Sequence, residues 1–340
     1  MRIGLITGGG DCAGLNAAIR AVVKHGTGSG HSIVGFRNGW KGVAEGDVLH
    51  LSRSDVRNVL PLGGTMLGTA RFHPHREEGG VEAVHATLEQ ERVEALICIG
   101  GDGTLHAASK VAESGVKVVG IPKTIDNDVW GTDKAIGFDT AVHVATEAVD
   151  RLHTTAESHN RVMVVEVMGR DAGWIAVHAG IAGGAEIMLA PEHPFDIEAI
   201  ARALRHRHRA HASFSIVVVA EGAVPAPDTA MTYTTERDEL GQIVAGATAE
   251  RVAGEIAERT GFETRVTVLG HIQRGGTPLP SDRVLASRFG HAAVEALNHG
   301  HSEVMTAVRG EQVELVPLRD IAGKLKTVPQ ELLSAARALA

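Results

Sequence analysis

Short, continuously apolar runs alternate with helical stretches along this chain, and glycines or carboxylates follow most of the runs. Arg2–Thr7, Ser32–Phe36, Ala95–Ile99, Val116–Ile121, Arg161–Val167, Glu186–Leu189, Ser215–Ala220 and Arg265–Leu269 read as strands. Helices Leu15–Gly26 and Leu105–Glu113 are among the segments between them. A strand that is apolar throughout has both faces buried, the pattern of a parallel sheet covered by helices on both sides. Crossovers in such sheets are right-handed. The expectation is an α/β chain of doubly wound domains with mainly parallel sheets.

A chain of 340 residues is too long for one compact core and fits two domains. The turn in GTDKAIGFDTA near Gly137 and a return crossing near Gly270 mark the boundaries. They predict a larger domain of 1–137 plus about 273–325, a smaller one of 138–272, and a C-terminal tail of 326–340. The polar segment 222–241 carries two prolines and reads as an excursion loop.

Composition excludes several classes. The net charge of -8 disfavours a nucleic-acid partner without a local basic patch. An acidic protein that binds anions must concentrate its arginines and lysines at the site. Two cysteines, Cys12 and Cys98, are too few for a disulfide framework and indicate a reduced cytoplasmic setting. Cys12, where a helix begins, reads as a small residue in a tight loop, the alternative being a reactive thiol. The opening MRIGLITGGG lacks the apolar region of a signal peptide, and no apolar run approaches the ~20 residues of a membrane helix. The basic stretch RHRHRAH at 205–211 reads as a solvated helix end; HxH without carboxylates is a weak metal signal.

Ligands of open α/β sheets bind outside the carboxyl ends of the strands, and six motifs fall at such ends. They are GGGDCAG, GGDG, PKTIDND, EVMGRDAG, AEG and LGHIQRGG, which together argue for one shared cleft between the domains. GGGDCAGLN at 8–16 links a strand to a helix, where glycines and free N–H groups admit a phosphate, though a plain turn is the alternative. It is neither a Walker loop nor the dinucleotide fingerprint. GGDGT at 100–104 repeats that logic; Asp102 supplies a hard oxygen ligand for Mg²⁺ and Thr104 reads as a helix cap. PKTIDND at 122–128 places Asp126 and Asp128 two residues apart, one to accept a hydroxyl proton and one to orient groups or metal. Arg71, Arg161, Arg170, Arg265, His271 and Arg274 stand in short polar motifs, and arginine forks suit phosphate.

With these residues the chain resembles the phosphofructokinases over nearly its whole length. The matching strings, in that family's order, are GGDCAGLNAAIR, GGTMLGTAR, GGDGT, PKTIDND, GFDTA, EVMGRDAGW, AEG and LGHIQRGG. Its length and PKTIDND most resemble the actinobacterial-type group, which contains both ATP-dependent and pyrophosphate-dependent members. The resemblance implies transfer of the γ-phosphoryl of ATP to the 1-hydroxyl of fructose 6-phosphate in glycolysis. The larger domain would bind nucleotide and the smaller one sugar phosphate. Asp126 would be the base, with Thr124 and Asp128 flanking it at substrate and metal and Ile125 beside it. Met168, Gly169 and Arg170 would hold the sugar phosphate, Arg170 also acting in catalysis, and Glu221 would contact the sugar. His271, Ile272, Gln273 and Arg274 would lie at the 6-phosphate and the transferring group. Arg161 and Arg265 would reach a neighbouring subunit's site, making a homodimer or homotetramer. Gly10, Arg71, Phe72, Gly101, Asp102, Gly103 and Thr104 would surround the nucleotide, with Asp102 binding Mg²⁺ and Trp40 flanking adenine.

Two residues bear on the donor. Gly103 leaves space for the α-phosphate of ATP where pyrophosphate users place an Asp. Lys123 points the other way, since pyrophosphate users carry Lys there. A steric and electrostatic block is harder to evade than an extra cation, so Gly103 weighs more. Asp171 stands where the nearest relatives often have His, and Ala13 replaces a common Pro. Arg20, Lys24 and Arg53 match a basic effector pocket, but His153 replaces an arginine and Ala210–Ser213 lacks lysines. GGDGT also occurs in NAD kinases and diacylglycerol kinases. An NAD kinase-like enzyme sharing GGDGT is one remoter alternative, but it does not explain PKTIDND or LGHIQRGG; a non-catalytic sugar-phosphate sensor is another, opposed by the intact base and metal motifs.

Overall fold

A computed structural model describes residues 1–210, 213–227, 231, 246–321 and 323–339. Most of the 222–241 segment, and residues 211–212 beside the histidine-rich stretch, lie outside the described residues. The chain divides into two compact units, Met1–Thr140 with Arg274–Lys326, and Ala141–Gln273 with Thr327–Ala340.

The first unit is built from β1 Arg2–Thr7, α1 Leu15–Gly28, β2 Ser32–Phe36, α2 Trp40–Glu45 and β3 Val48–Leu51. It continues with α3 Gly80–Gln90, β4 Ala95–Gly100, α4 Asp102–Glu113 and β5 Val118–Pro122. Helix α5, Phe138–His159, carries the chain into the second unit. That unit holds β6 Val162–Val167, α6 Trp174–Ala182, β7 Ile187–Leu189, α7 Ile197–Arg209, β8 Ser215–Ala220, α8 Ala247–Thr260 and β9 Thr264–Val268. The chain then returns to the first unit with α9 Pro280–Asn298, β10 Val304–Arg309 and β11 Gln312–Pro317, and ends on α10 Gln330–Leu339 in the second.

The first unit's sheet has seven strands in the order β11-β10-β5-β4-β1-β2-β3. Its five inner strands run parallel, while β3 and β11 are antiparallel edges. Strand β4 is buried at every residue, as its unbroken apolar run requires. One face packs against α4, where Ile6, Leu96, Cys98, Leu105 and Val111 share a core; α1 and α9 pack on one another. Burying each such aliphatic side chain contributes ~1.5–3 kcal/mol. The second unit's sheet is fully parallel, in the order β7-β8-β6-β9, with Val164, Val217, Val219 and Ile256 in its core.

Register places the chemistry. Thr7 pairs with Ile99 and Gly100 with Pro122, so β1, β4 and β5 end level and release their loops side by side. In the second unit Val167 pairs with Ala220 and Glu166 with Val268, so β6, β8 and β9 do the same.

Several details differ from the sequence reading. Strands β3, β10 and β11 were not legible as strands: the edges β3 and β11 are half-exposed, and β10, though an inner strand buried at its centre, is interrupted by Thr306 and lacks an unbroken apolar run. Helix α4 begins at Asp102 rather than Leu105, and Gly101 is its N-cap with no side-chain cap, so Thr104 is a helical residue and not the cap. No helix among the described residues is long and apolar enough to cross a membrane.

Candidate active site

In the first unit three loops converge from level strand ends. The loop after β1 is tied to its neighbour by Gly8 N donating to Ile99 O at 2.9 Å. Gly10 lies against an arginine: a Cβ there would come within 2.5 Å of Arg274 Nη1. Arg274 Nη1 itself donates to Asp11 O at 3.2 Å. Lys123 Nζ donates to Gly10 O, and burial lowers the Lys123 pKa, with the nearby Arg274 charge acting in the same direction. A lysine with 2% of its surface exposed is thus held against the carbonyl of the phosphate-type loop.

The PKTIDND loop is held from both ends. Lys123 N donates to Gly100 O at 2.9 Å and Thr124 N to Ile136 O at 3.1 Å. Asn127 adopts the left-handed conformation at φ 50°. Its amide Oδ1 accepts from Ala135 N at 3.0 Å and its Nδ2 donates to Asp133 O at 3.2 Å. Asn127 therefore serves the backbone, and the half-buried Asp126 and Asp128 flank it. Asp126 N donates to Thr124 Oγ1 at 3.1 Å, a turn that fixes where the carboxylate begins. Ile125, at 1% exposure, is a core side chain, so any substrate contact there falls to its backbone.

Asp102 opens α4. Desolvation raises its pKa, and the neighbouring Asp128 carboxylate raises it further against the opposing His106. Two carboxylates that repel one another at the mouth of a helix suit a divalent cation, which relieves their repulsion. No cluster of three or more acidic, histidine or cysteine side chains able to hold a metal occurs among the described residues. Mg²⁺ takes one or two carboxylates and completes its shell with water and phosphate, so Asp102 with Asp128 fits it. Gly103 is exposed at this first turn, and a Cβ there would stand 3.2 Å from His73 Cε1. Arg71 is exposed nearby in sequence, and Phe72 packs half-buried against the core. Thr104 is buried behind the loops against Gly8 and Gly100. Trp40 is also core, with Nε1 donating to Thr104 O at 3.3 Å, so it is closed to a ligand and the adenine-flanking expectation fails.

The second unit assembles the sugar-phosphate candidates. Gly169 has φ 136°, and Gly222 N donates to its carbonyl at 3.1 Å. A Cβ on Gly222 would fall 1.8 Å from Arg170 O, so only glycine lets the AEG and MGR loops approach. Arg170 Nε donates to Asp171 Oδ2 at 2.6 Å. Asp171, for which the sequence offers no account, thus forms a part-exposed ion pair with Arg170. Gln273 is buried; its Oε1 accepts from Met168 N at 3.3 Å and its Nε2 donates to Gly270 O at 3.0 Å, tying the two loops together. His271 and Ile272 are exposed beside it, and Glu221 is half-buried with its carbonyl accepting from Thr248 Oγ1 at 2.8 Å. Arg161 and Arg265 converge on one carboxylate, with Nη2 of each 2.7 Å and 2.5 Å from Glu263 Oε1, which holds Glu263 below its usual pKa.

Three supporting residues escaped the motif reading. Asn16 is buried; its Nδ2 donates to Leu62 O and Gly63 O at 3.2 and 3.1 Å, and its Oδ1 accepts from Met66 N at 2.8 Å. It pins the GGTMLGTAR loop to α1. Asp282 is buried in α9 and accepts from Gly137 N, Thr140 N and Thr140 Oγ1 at 2.9, 2.8 and 2.5 Å. Glu166 is buried in β6 and accepts from Gly246 N at 2.5 Å and Ala249 N at 3.0 Å, at the start of α8. The available signal was a carboxylate in an apolar strand or in a helix's first turn. Cys12 is fully buried with its thiol pKa pushed up to about 12 by burial, so the small-residue reading holds and the reactive one does not.

Comparison with known proteins gives a consistent result. The family model described as Phosphofructokinase matches residues 2–297. A pyrophosphate–fructose 6-phosphate 1-phosphotransferase of Amycolatopsis methanolica is 54% identical over 332 residues, 97% of each chain. An ATP-dependent 6-phosphofructokinase of Mycobacterium tuberculosis is 53% identical over 333 residues, again 97% of each. Among solved structures, the phosphofructokinase of Pichia pastoris in its T-state superposes with a TM-score of 0.84 at 32% identity. That match covers 99% of this chain, which spans 36% of the longer Pichia chain.

Proposed function

The chain belongs to the phosphofructokinase family, and from that premise we propose that it is an ATP-dependent 6-phosphofructokinase. It moves the γ-phosphoryl of ATP onto the 1-hydroxyl of fructose 6-phosphate and yields ADP and fructose 1,6-bisphosphate. Asp126 takes the proton of the 1-hydroxyl as its oxygen bonds to phosphorus, while the bond from phosphorus to the β-phosphate oxygen breaks. What supports Asp126 is its loop: backbone bonds from Lys123 and Thr124 and the left-handed Asn127 hold this carboxylate in place. Asp102, with Asp128 beside it, would hold Mg²⁺, which when bound would neutralise phosphate charge. Arg170 and Arg274 stabilise charge at the sugar phosphate and the transferring group, with Met168, Gly169, Glu221 and His271 shaping the sugar site. Positioning and preorganised charge carry the rate, as in phosphoryl transfer generally.

The donor reading rests on Gly103. Its backbone angles do not demand glycine, and its position at the first turn of α4 leaves the space a side chain would fill. The pyrophosphate-dependent reading has its own observation in the buried Lys123, and relatives at about equal identity carry each name. Steady-state assays with ATP and with pyrophosphate, coupled to aldolase, decide between them. The expected outcome is turnover with ATP and little with pyrophosphate; the reverse overturns the donor, and no turnover with either overturns the reaction. Arg161 and Arg265 serve a neighbouring copy's site in this reading, so the working enzyme is at least a dimer. It works in the cytoplasm.

A further inference from the structure

An unfilled groove of about 620 Å³ lies in the second unit, away from every residue given a role above. Edge strand β7, α6, α7 and the C-terminal α10 enclose it. Its lining is mainly apolar, including Ile187, Met188, Phe195 and Leu333. Small residues leave it open: Ala199 and Ala203 on α7 and Ala336 on α10 face space that larger side chains would fill. Apolar surface left facing water costs stability that an apolar ligand recovers. The volume lies within the range of small-molecule sites.

Charge identifies the class of ligand. Glu186 is already paired with Arg207 at 2.6 Å, and Asp196 caps α7 and lies 3.5 Å from Arg202. Arg337, also lining the groove, has no carboxylate partner among the described residues; its Nε donates to Leu333 O of its own helix at 3.3 Å. The lining therefore carries one uncompensated cation beside an apolar trough. A second anchor keeps the trough formed: Val328 N donates to Glu192 Oε1 at 2.9 Å, and the same carboxylate accepts from Gly173 N at 3.0 Å, fixing the root of α10.

We propose that this groove is a binding site for an amphipathic monoanion, a hydrocarbon body carrying a single terminal carboxylate, with Arg337 holding the anionic head. Decanoate is the probe. Calorimetric titration of the full chain is expected to give one saturable site per chain. Octanoate binds roughly tenfold more weakly, the consequence of two fewer buried methylenes. Decanol, lacking the charge, also binds about tenfold more weakly. Arg337→Gln weakens decanoate about tenfold and leaves decanol unchanged, while Ala203→Trp fills the groove and abolishes binding with kcat/KM intact. Absence of saturable binding, equal affinity for decanoate and decanol, or an Arg337→Gln variant that binds decanoate normally overturns the proposal. So does a fall in oligomer size with Ala203→Trp in sedimentation, which identifies a second copy of the chain as the occupant.

Discussion

Substitution of Gly10 by alanine probes the first-unit loop at a single atom. The added Cβ would sit 2.5 Å from Arg274 Nη1 and 2.9 Å from its Cζ. Non-bonded heavy atoms settle near 3.5 Å or beyond, so the guanidinium must retreat by about 1 Å. Its bond to Asp11 O, already 3.2 Å, does not survive that shift. A misplacement of that size at a group with the charge-stabilising role proposed for Arg274 costs on the order of 10²-fold in rate. The backbone itself is undisturbed, because Gly10, unlike Gly9 and Gly14, is outside the positive-φ set. Stability should therefore change by no more than ~1 kcal/mol. Steady-state kinetics with fructose 6-phosphate, paired with thermal melts, read both quantities: kcat/KM is expected to fall about 100-fold with an almost unmoved midpoint. The decisive control is the same substitution in an Arg274→Ala background, where it should cost little, since coupled residues are non-additive. Equal losses in the two backgrounds would refute the steric argument, as would near-normal kinetics in the single variant.

Other consequences follow from the same geometry. Asp126→Asn should lower kcat by ~10²–10⁴ with little change in substrate affinity, and retention of normal turnover removes Asp126 as the base. Asp282→Asn puts an amide against three donors and should cost roughly 2–4 kcal/mol in denaturant unfolding, whereas an unchanged midpoint would show that those bonds carry no stability. Cys12, with its pKa raised to about 12, stays protonated in the folded chain and should resist iodoacetamide at pH 8 until denaturant is added; rapid native alkylation contradicts its burial.

The inner strands and their loops were legible because the signal is local. An unbroken, short apolar run such as ALICIG, followed by glycines, has the pattern of a doubly covered strand, and the polar motif after it then lies at a carboxyl end. PKTIDND was readable as chemistry for the same reason, since its two carboxylates flank an asparagine that the turn itself consumes. What was not legible depends on partners far away in sequence. Asp282 in PSDR looks like an ordinary first-turn acid, and its partner Thr140 lies 142 residues earlier. Asn16 and the carbonyls it holds are separated by 46 and 47 residues. Trp40 looked like a ligand aromatic, yet packing against α4 takes its whole surface, and no local pattern distinguishes those outcomes. Asp171 pairs with Arg170, a neighbour in sequence, and a side chain's orientation toward its neighbour is not carried by the sequence.

The route of the chain constrains how the molecule is made. Residues 1–140 lack α9, β10 and β11 of their own unit, and these arrive only after the whole of 141–273 has been synthesised. Helix α1 cannot meet α9 until more than 250 residues separate it from the growing end, since α9 starts at Pro280. The second unit likewise waits for α10, which follows the first unit's last segment in the chain. Neither unit is able to close as an independent co-translational domain, and β5 stays an open sheet edge until β10 has been synthesised. The long-range pairing of β5 with β10, across Gly120 and Met305, places part of the first unit's core among the slow, late contacts of folding.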